Sequence, residues 1–409
     1  MTERRFNVFA SSAGLKHDGK GLGRERLMKQ RAKARPATAR QQSSSNFFAD
    51  AAPAIGGILS VLIAYTFRGE LFADLNFYPL TLLLFVWLFG AMVWCAFSVM
   101  QHAEALAERL GEPYGTLVLT LSVIVIEVAL IASVMLHGEN NPTLARDAMF
   151  ATLMIVLNGM IGTALIMGAI RYWEQDYNLA GARAFLAVIA SLAVFALILP
   201  NHVKTEPDPS QAPYKTLMFA GITILFYIVF IIIQTMRHRA FFAEPGGEEV
   251  HSGPEHHASG SLGYHLAMLL VTLAIVVALA EYLAILVDFG IEDLQLPDAL
   301  GGVLVAVLVL SPEGLSAFRA ALDNRLQRAV NVCLGSALAT IGLTIPAVLT
   351  IGLITGREVH LGLDGVEAVL LVLTLFVSAL TFGGARTNVL QGVVHLALFI
   401  VFVALIFSP

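Results

Sequence analysis

Two acidic residues, Glu127 and Glu313, each stand in the interior of a long apolar stretch. Each follows a glycine by twelve positions, Gly115 and Gly301. An ionised carboxylate near the middle of a bilayer costs about 3 kcal/mol on insertion scales and more in simulations, so buried acids there mark ion or proton pathways. No lysine or arginine falls inside any mid-membrane stretch to pair with them. A structural ion pair is therefore the weaker reading, and binding of a cation, a proton, or each in turn is the stronger.

The chemistry follows from charge and coordination. A hard cation that leaves water needs oxygen ligands in its place, and Ca²⁺ takes roughly six to eight of them, with carboxylates supplying the counter-charge. Two glutamates together neutralise one divalent ion, and Glu127 and Glu313 are the expected metal-binding pair. An empty, doubly ionised pair in lipid is costly, so protons take the place of a departing cation, and cation and proton compete for the same oxygens. Further oxygens are nominated by position. Pro312 lacks an N–H and leaves the Leu308 carbonyl without its helical donor, and Ser311 lies beside it. Ser336 and Thr340, at i and i+4 on one helix face, are expected to face Glu313. Thr152 and Asn158 are their expected counterparts facing Glu127. Each of these side chains has an equal alternative, a back-bond to its own helix or a packing contact. With Ser311 and Pro312 beside it, Glu313 is expected to hold the cation more directly than Glu127, whose chain neighbours are apolar.

The elements that must position these residues are membrane helices. Of the 409 residues 57% are hydrophobic and 13% charged, against roughly 25% charged in soluble domains. Eleven stretches are long and apolar enough to read as spans: 53–67, 79–100, 114–136, 147–170, 180–200, 214–236, 264–287, 298–320, 329–355, 365–383 and 389–408. The fold class is thus all-α, a polytopic membrane protein of about 11 transmembrane helices. The expected organisation is a disordered basic cytoplasmic tail over 1–46 and an extra N-terminal helix with an outer loop over 47–78. A first five-helix repeat over 79–236, a cytoplasmic His/Glu-rich linker over 237–263 and a second repeat over 264–409 follow. Five is odd, so the second set must cross the membrane inverted relative to the first. The spacing supports this pairing, because the arginines after each glutamate, Arg146 and Arg328, precede Asn158 and Thr340 by twelve residues each. Twelve residues at about 1.5 Å rise make about 18 Å, roughly half a 30 Å hydrocarbon core and an interfacial margin. Inverted repeats with a site at their midplane interface are a trace of secondary transporters.

Charge bias sets the orientation. Residues 1–45 hold eleven of the 25 Lys and Arg. With that tail inside, nine arginines fall on inner connections and five basic residues on outer ones, which places the N-terminus in the cytoplasm and the C-terminus outside. The tail has no apolar core of a secretory signal, and its early acids disfavour a mitochondrial presequence; attraction to a membrane surface accounts for its charge. The linker carries His251, His256, His257 and four glutamates, and reads as a solvated loop, with weak divalent-cation sensing as the sharper alternative. Glu281 and the acids after it read as an outer mouth or a plain surface. Arg386, Asn388 and His395 form a polar cluster at a helix start, for capping first and for gating or proton relay second. Cys95 and Cys333 sit in apolar runs as small hydrophobes. No phosphate-binding loop, dinucleotide fingerprint or HExxH motif is present, so the chain reads as no enzyme, with no cofactor. Its partners are the lipid bilayer and the transported cations and protons, and no nucleic acid.

Several of these stretches resemble the calcium/cation antiporter superfamily in its bacterial ChaA-type calcium–proton branch. They are His102-Ala103-Glu104, Gly111 to Gly115, the run to Glu127, Leu310 to Leu315, Gly335 to Thr340 and Gly384 to Gly392. The resemblance covers about 47–409. It implies ten core helices in two inverted five-helix repeats, an added N-terminal helix, and repeat glutamates that bind cation and proton alternately. Many members carry Gly-Asn-x-x-Glu around the repeat acid; here the approaches are Val-Ile-Val-Ile-Glu127 and Leu-Ser-Pro-Glu313. The missing asparagines remove side-chain ligands and leave room for Na⁺ or K⁺ beside Ca²⁺. The expected function is cation/proton antiport by alternating access, exporting Ca²⁺ and, as alternatives, Na⁺ or K⁺. A passive channel is the runner-up; an intramembrane enzyme or a bare scaffold fits the matched glutamates poorly.

Overall fold

The structure is a computed structural model that describes residues 42–72, 75, 78–111, 114–137, 142–202, 212–243, 261–297, 299–384 and 386–407. The first 41 residues of the expected tail and the linker histidines lie outside this set. Residues 42–46, expected as tail, belong instead to the first helix, α1 (Gln42–Thr66). Its apolar part, Asp50–Thr66, is short for a span.

Long helices follow because long apolar runs with few breakers leave backbone hydrogen bonding inside the helix as the only saturated state in lipid. They are α2 (Tyr78–Leu110), α3 (Tyr114–His137), α4 (Leu144–Tyr172) and α5 (Leu179–His202), and α6 (Ala212–Ile232). The second set is α7 (Leu262–Asp293), α8 (Ala299–Leu322), α9 (Leu326–Thr355), α10 (Gly365–Thr381) and α11 (Val389–Ile406). Among the described residues nine helices are long and apolar enough to cross a membrane, and α10 and the apolar part of α1 are shorter. Ends are set by local chemistry. Gly111 and Gly356 take positive φ after α2 and α9, the conformation that glycine adopts without a Cβ clash. Asn388 and Gln391 cap α11 reciprocally, Asn388 Oδ1 accepting from the Leu390 N–H at 3.0 Å and the Asn388 N–H donating to Gln391 Oε1 at 2.9 Å.

α4 and α9 share a feature that simple periodicity cannot show. Each is interrupted by a π-helical segment, Ile155–Met160 in α4 and Thr340–Thr344 in α9. Such a segment inserts an extra residue per turn and rotates the side chains beyond it, and it often lies at functional sites. Asn158 and Thr340, paired by spacing in the sequence, both fall in these segments.

Hydrogen bonds between loops sort the helix ends. At one end, that of Arg109, Tyr172 Oη donates to the Leu322 carbonyl at 2.8 Å and Gln175 Nε2 to the Ala321 carbonyl at 2.9 Å. Arg183 donates to the Gly383 carbonyl at 2.8 Å, and two short strands, β1 (Gln175–Asp176) and β2 (Arg386–Thr387), pair antiparallel. At the other, that of Arg146, Arg146 donates to the Gly362 carbonyl at 3.1 Å and the Leu363 N–H to the Leu197 carbonyl at 2.7 Å. Successive helices therefore alternate in direction. α2 and α7 run antiparallel, with Tyr78 Oη on Asp293 at 2.8 Å at one end and His102 against His265 nearer the other. The first residues of the linker are anchored: Phe242 is buried and meets Phe185 and Phe230 ring to ring.

Candidate cation-binding site

Glu127 lies in the middle of α3 and Glu313 in the second half of α8, and both are buried, 2% and 5% exposed. Their charges are within coulombic reach of one another. α9 runs past both and supplies the hydroxyls. Thr340 and Thr344 donate to Glu127 Oε2 at 3.0 and 2.8 Å. Ser336, one turn earlier, lies 3.5 Å from Glu313 Oε1, at the outer limit of a hydrogen bond. Ser336, Thr340 and Thr344 thus form one stripe at steps of four, whose last two members lie in the π-helical segment and meet the other carboxylate. Each glutamate keeps one buried oxygen, Oε1 of Glu127 and Oε2 of Glu313, with no hydrogen-bond partner. A buried acceptor without a donor is costly.

Several expected partners are elsewhere. Thr340 serves Glu127 and not Glu313, although it follows Ser336 by four residues on the same stripe. Asn158 does not face Glu127: its Nδ2 donates to Thr374 Oγ1 at 2.9 Å, and its Oδ1 lies 3.1 Å from His395 Nδ1. Thr152 is buried in α4 and is not among the groups bonded to Glu127. The Ser311 hydroxyl turns back to the Val307 carbonyl at 2.5 Å, the back-bond that serines in helices often adopt. The closer hydroxyl donors belong to Glu127, at 3.0 and 2.8 Å, against 3.5 Å at Glu313.

The outlying candidates also find definite places. Glu281 pairs with Arg68 at 3.6 Å. Arg386 bonds Glu174 and Asp176 at 3.3 and 2.9 Å across the β1–β2 ladder. These hydrogen bonds, that of Glu174 first, push the Arg386 pKa above its ordinary value. Asn388 caps α11. His395 does not cap it and is at no mouth: seven residues on, about 10 Å along the helix, it is fully buried with Nε2 3.0 Å from Thr381 Oγ1. Thr344 was not singled out from the sequence, although its place four residues after Thr340 extends the polar stripe. Thr374 and Thr381, which close the polar cluster around Asn158 and His395, carry no comparable signal because single threonines are common in apolar helices.

Close backbone approach holds these helices in place. A Cβ on Gly302 of α8 would stand 2.6 Å from the Ala148 nitrogen of α4, and one on Gly392 of α11 would stand 2.9 Å from the Gly162 carbonyl of α4. Small residues at such crossings let helices associate where lipid gives no hydrophobic drive.

Comparison with known proteins agrees with this geometry. The sodium/calcium exchanger protein family matches residues 80–236 and 264–408. The chain is 39% identical over 316 residues to the sodium-potassium/proton antiporter ChaA of Escherichia coli (strain K12), covering 76% of this chain and 86% of that one. In three dimensions it is similar to native YfkE, with a TM-score of 0.68 at 18% identity, over 89% of this chain and all of that one. It is also similar to the H⁺/Ca²⁺ exchanger CAX, with a TM-score of 0.61 at 15% identity, over 88% and 89% of the two chains.

Proposed function

The chain belongs to the sodium/calcium exchanger protein family, and from that premise we propose that it is a cation/proton antiporter whose exchange site is the Glu127–Glu313 pair. The observation that carries this reading is the pair of buried, unpartnered carboxylate oxygens on two helices within coulombic reach. Two ionised glutamates balance one Ca²⁺, and the hydroxyls of Thr340, Thr344 and Ser336 and the Leu308 carbonyl add oxygens that do not titrate. When the cation leaves, Glu127 Oε1 and Glu313 Oε2 take protons, because two bare carboxylates buried in an apolar bundle are the costly state to carry across. Exchange follows, since each ion displaces the other from the same atoms.

The segments 79–236 and 264–409 act as inverted halves, with α3 and α8 as counterparts. Alternating access opens the pair first to one end and then to the other. Charge bias assigns the Arg109 end to the cytoplasm, so inward proton flow exports the cation from an inner membrane. Na⁺ and K⁺ are a second reading of the cargo, favoured by the likeness to a sodium-potassium/proton antiporter and by the missing asparagines beside the two glutamates.

In proteoliposomes with an imposed pH gradient, Glu127→Gln and Glu313→Gln are each expected to reduce coupled uptake to that of empty vesicles while inserting normally. Full transport by either variant overturns the site. Side-by-side uptake of Ca²⁺, Na⁺ and K⁺ separates the cargo readings. Collapse of the gradient separates exchange from a channel, which keeps its downhill flux.

A further inference from the structure

Away from the glutamates, α2 and α7 bring two histidines into direct contact. His102 and His265 are 4% and 5% exposed, their Nδ1 atoms stand 3.0 Å apart, and their ring centroids are 5.3 Å apart. The Tyr264 ring lies edge-on to His102 at 5.9 Å and against His265 at 5.4 Å. His265 Nε2 is buried with no hydrogen-bond partner. The charged groups that reach the pair are Asp50 of α1, which acts on both rings and on Tyr264, and Arg109 of α2, which acts on His265. Glu104, on the same stretch of α2, is in reach of Arg328 instead.

Two imidazole nitrogens at this distance are bonded only when one carries a hydrogen and the other a lone pair. With both rings neutral, the donor ring has its remaining lone pair on Nε2. A proton added there makes one ring cationic and turns the contact into a charge-assisted N–H⁺···N bond, which is shorter and stronger than the neutral one. A further proton would occupy the last Nδ1 lone pair and replace the bond by repulsion. The pair therefore has room for one proton that strengthens the contact, with Asp50 as the nearby counter-charge.

We propose that His102 and His265 form a second proton-binding site, separate from the exchange site, that clamps α2 to α7 at the Arg109 end when one proton is bound. The clamp joins the first helices of the two family-matched segments. At the opposite end the same helices are joined by Tyr78 and Asp293. Acidification on the Arg109 side thus tightens one end of the pair and slows its rearrangement.

The experiment uses the full chain in vesicles, with nitroxide labels at Leu110→Cys of α2 and Leu266→Cys of α7, both exposed positions. The two native cysteines are buried and do not compete for label. The expected result is a distance distribution that narrows from pH 8 to pH 5.5. His102→Asn and His265→Asn should each abolish that change, and the double variant should do no more than either alone. A narrowing that survives in either single variant overturns the proposal, as does a label distance that is independent of pH in the parent. Transport need not be measured, so the result stands apart from the exchange reading. Glu313→Gln is expected to leave the label titration intact.

Discussion

Glu127 and Glu313 occupy matching positions in α3 and α8, yet their surroundings differ. Glu127 accepts two hydroxyls from α9, at 3.0 and 2.8 Å, while Glu313 has one at 3.5 Å. The polar residues in the π-helical segments of α9 and α4 also differ in their partners. In α9 the segment holds Thr340 and Thr344, which bond Glu127. In α4 it holds Asn158, which belongs to a buried cluster with Thr374 and His395. Similar backbone irregularities thus carry different contacts, one holding hydroxyls bonded to Glu127 and the other joining α4 to α10 and α11. A pair of acids that look equivalent in sequence becomes one carboxylate with two close donors and one with a single distant one.

Removal of the Glu127 donors gives the largest expected effect on this asymmetry. A hydrogen bond inside a membrane protein contributes about 1–2 kcal/mol at the upper end, and 1.4 kcal/mol is about tenfold in affinity. The double variant Thr340→Val, Thr344→Val is expected to raise the half-saturating cation concentration by roughly 10- to 100-fold. Ser336→Ala, which loses only the 3.5 Å contact, is expected to change it by less than about threefold. Equal effects of the two variants on cation affinity in proteoliposomes would remove the distinction between the carboxylates.

The second test asks whether Asn158 is a ligand or a lock. Its side chain is fully buried and has Thr374, Met154 and His395 as partners. Asn158→Leu leaves His395 and Thr374 without those contacts, at a cost of about 1–3 kcal/mol. The variant should melt earlier in detergent, while cation affinity per folded molecule stays within about threefold. A normal melt with a tenfold loss of affinity would make Asn158 a ligand after all.

These contrasts show what could be read from the chain itself. The two glutamates, the helices that bear them and their depth follow from hydropathy and spacing, because lipid permits few ways to bury a backbone. Ser336 and Thr340 were found by the i, i+4 rule, which holds for a regular helix. The rule puts Ser336 and Thr340 on one face but does not say which of two carboxylates each meets, and Thr340 meets Glu127. Ser311 misled for a simpler reason: neighbours along a helix point to different faces, and its hydroxyl turns back to the Val307 carbonyl. His395 was read as part of a helix-start cluster with Arg386 and Asn388, although two turns of helix separate it from the cap. The His102–His265 contact could not be seen at all, since it joins residues 163 apart with no shared motif.

The glycines matched by spacing sharpen the comparison further. A Cβ on Gly115 would stand 2.5 Å from the Ala107 carbonyl oxygen, a backbone atom that cannot yield. One on Gly301 would meet only the tips of Ile291 and Leu144, at 3.2 and 3.5 Å, whereas its neighbour Gly302 is blocked by the Ala148 nitrogen at 2.6 Å. Overpacking of this kind costs about 1–3 kcal/mol. Gly115→Ala and Gly302→Ala should lower the melting temperature, and Gly301→Ala should leave it within error. A destabilised Gly301→Ala with a normal Gly302→Ala would shift the α4–α8 crossing by one residue.

Arg386 gives the smallest expected effect and bounds how far the asymmetry extends toward the helix ends. It joins the two segments through Glu174 and Asp176, but its side chain is 63% exposed, and exposed ion pairs contribute little because water and salt screen them. Its folded pKa is raised. Such a group contributes fully below its unfolded value and loses the contribution only as the pH climbs through the folded one, far above neutrality. Arg386→Gln is therefore expected to show no resolvable change in melting temperature and no pH step between about 5 and 9. The paired backbone of β1 and β2 and the buried Gln175 contacts to Ala321 and Asn324 keep that end joined without the charge. A Gln175→Ala variant that melts well below Arg386→Gln would assign the junction to the buried amide, and the reverse order would assign it to the ion pair.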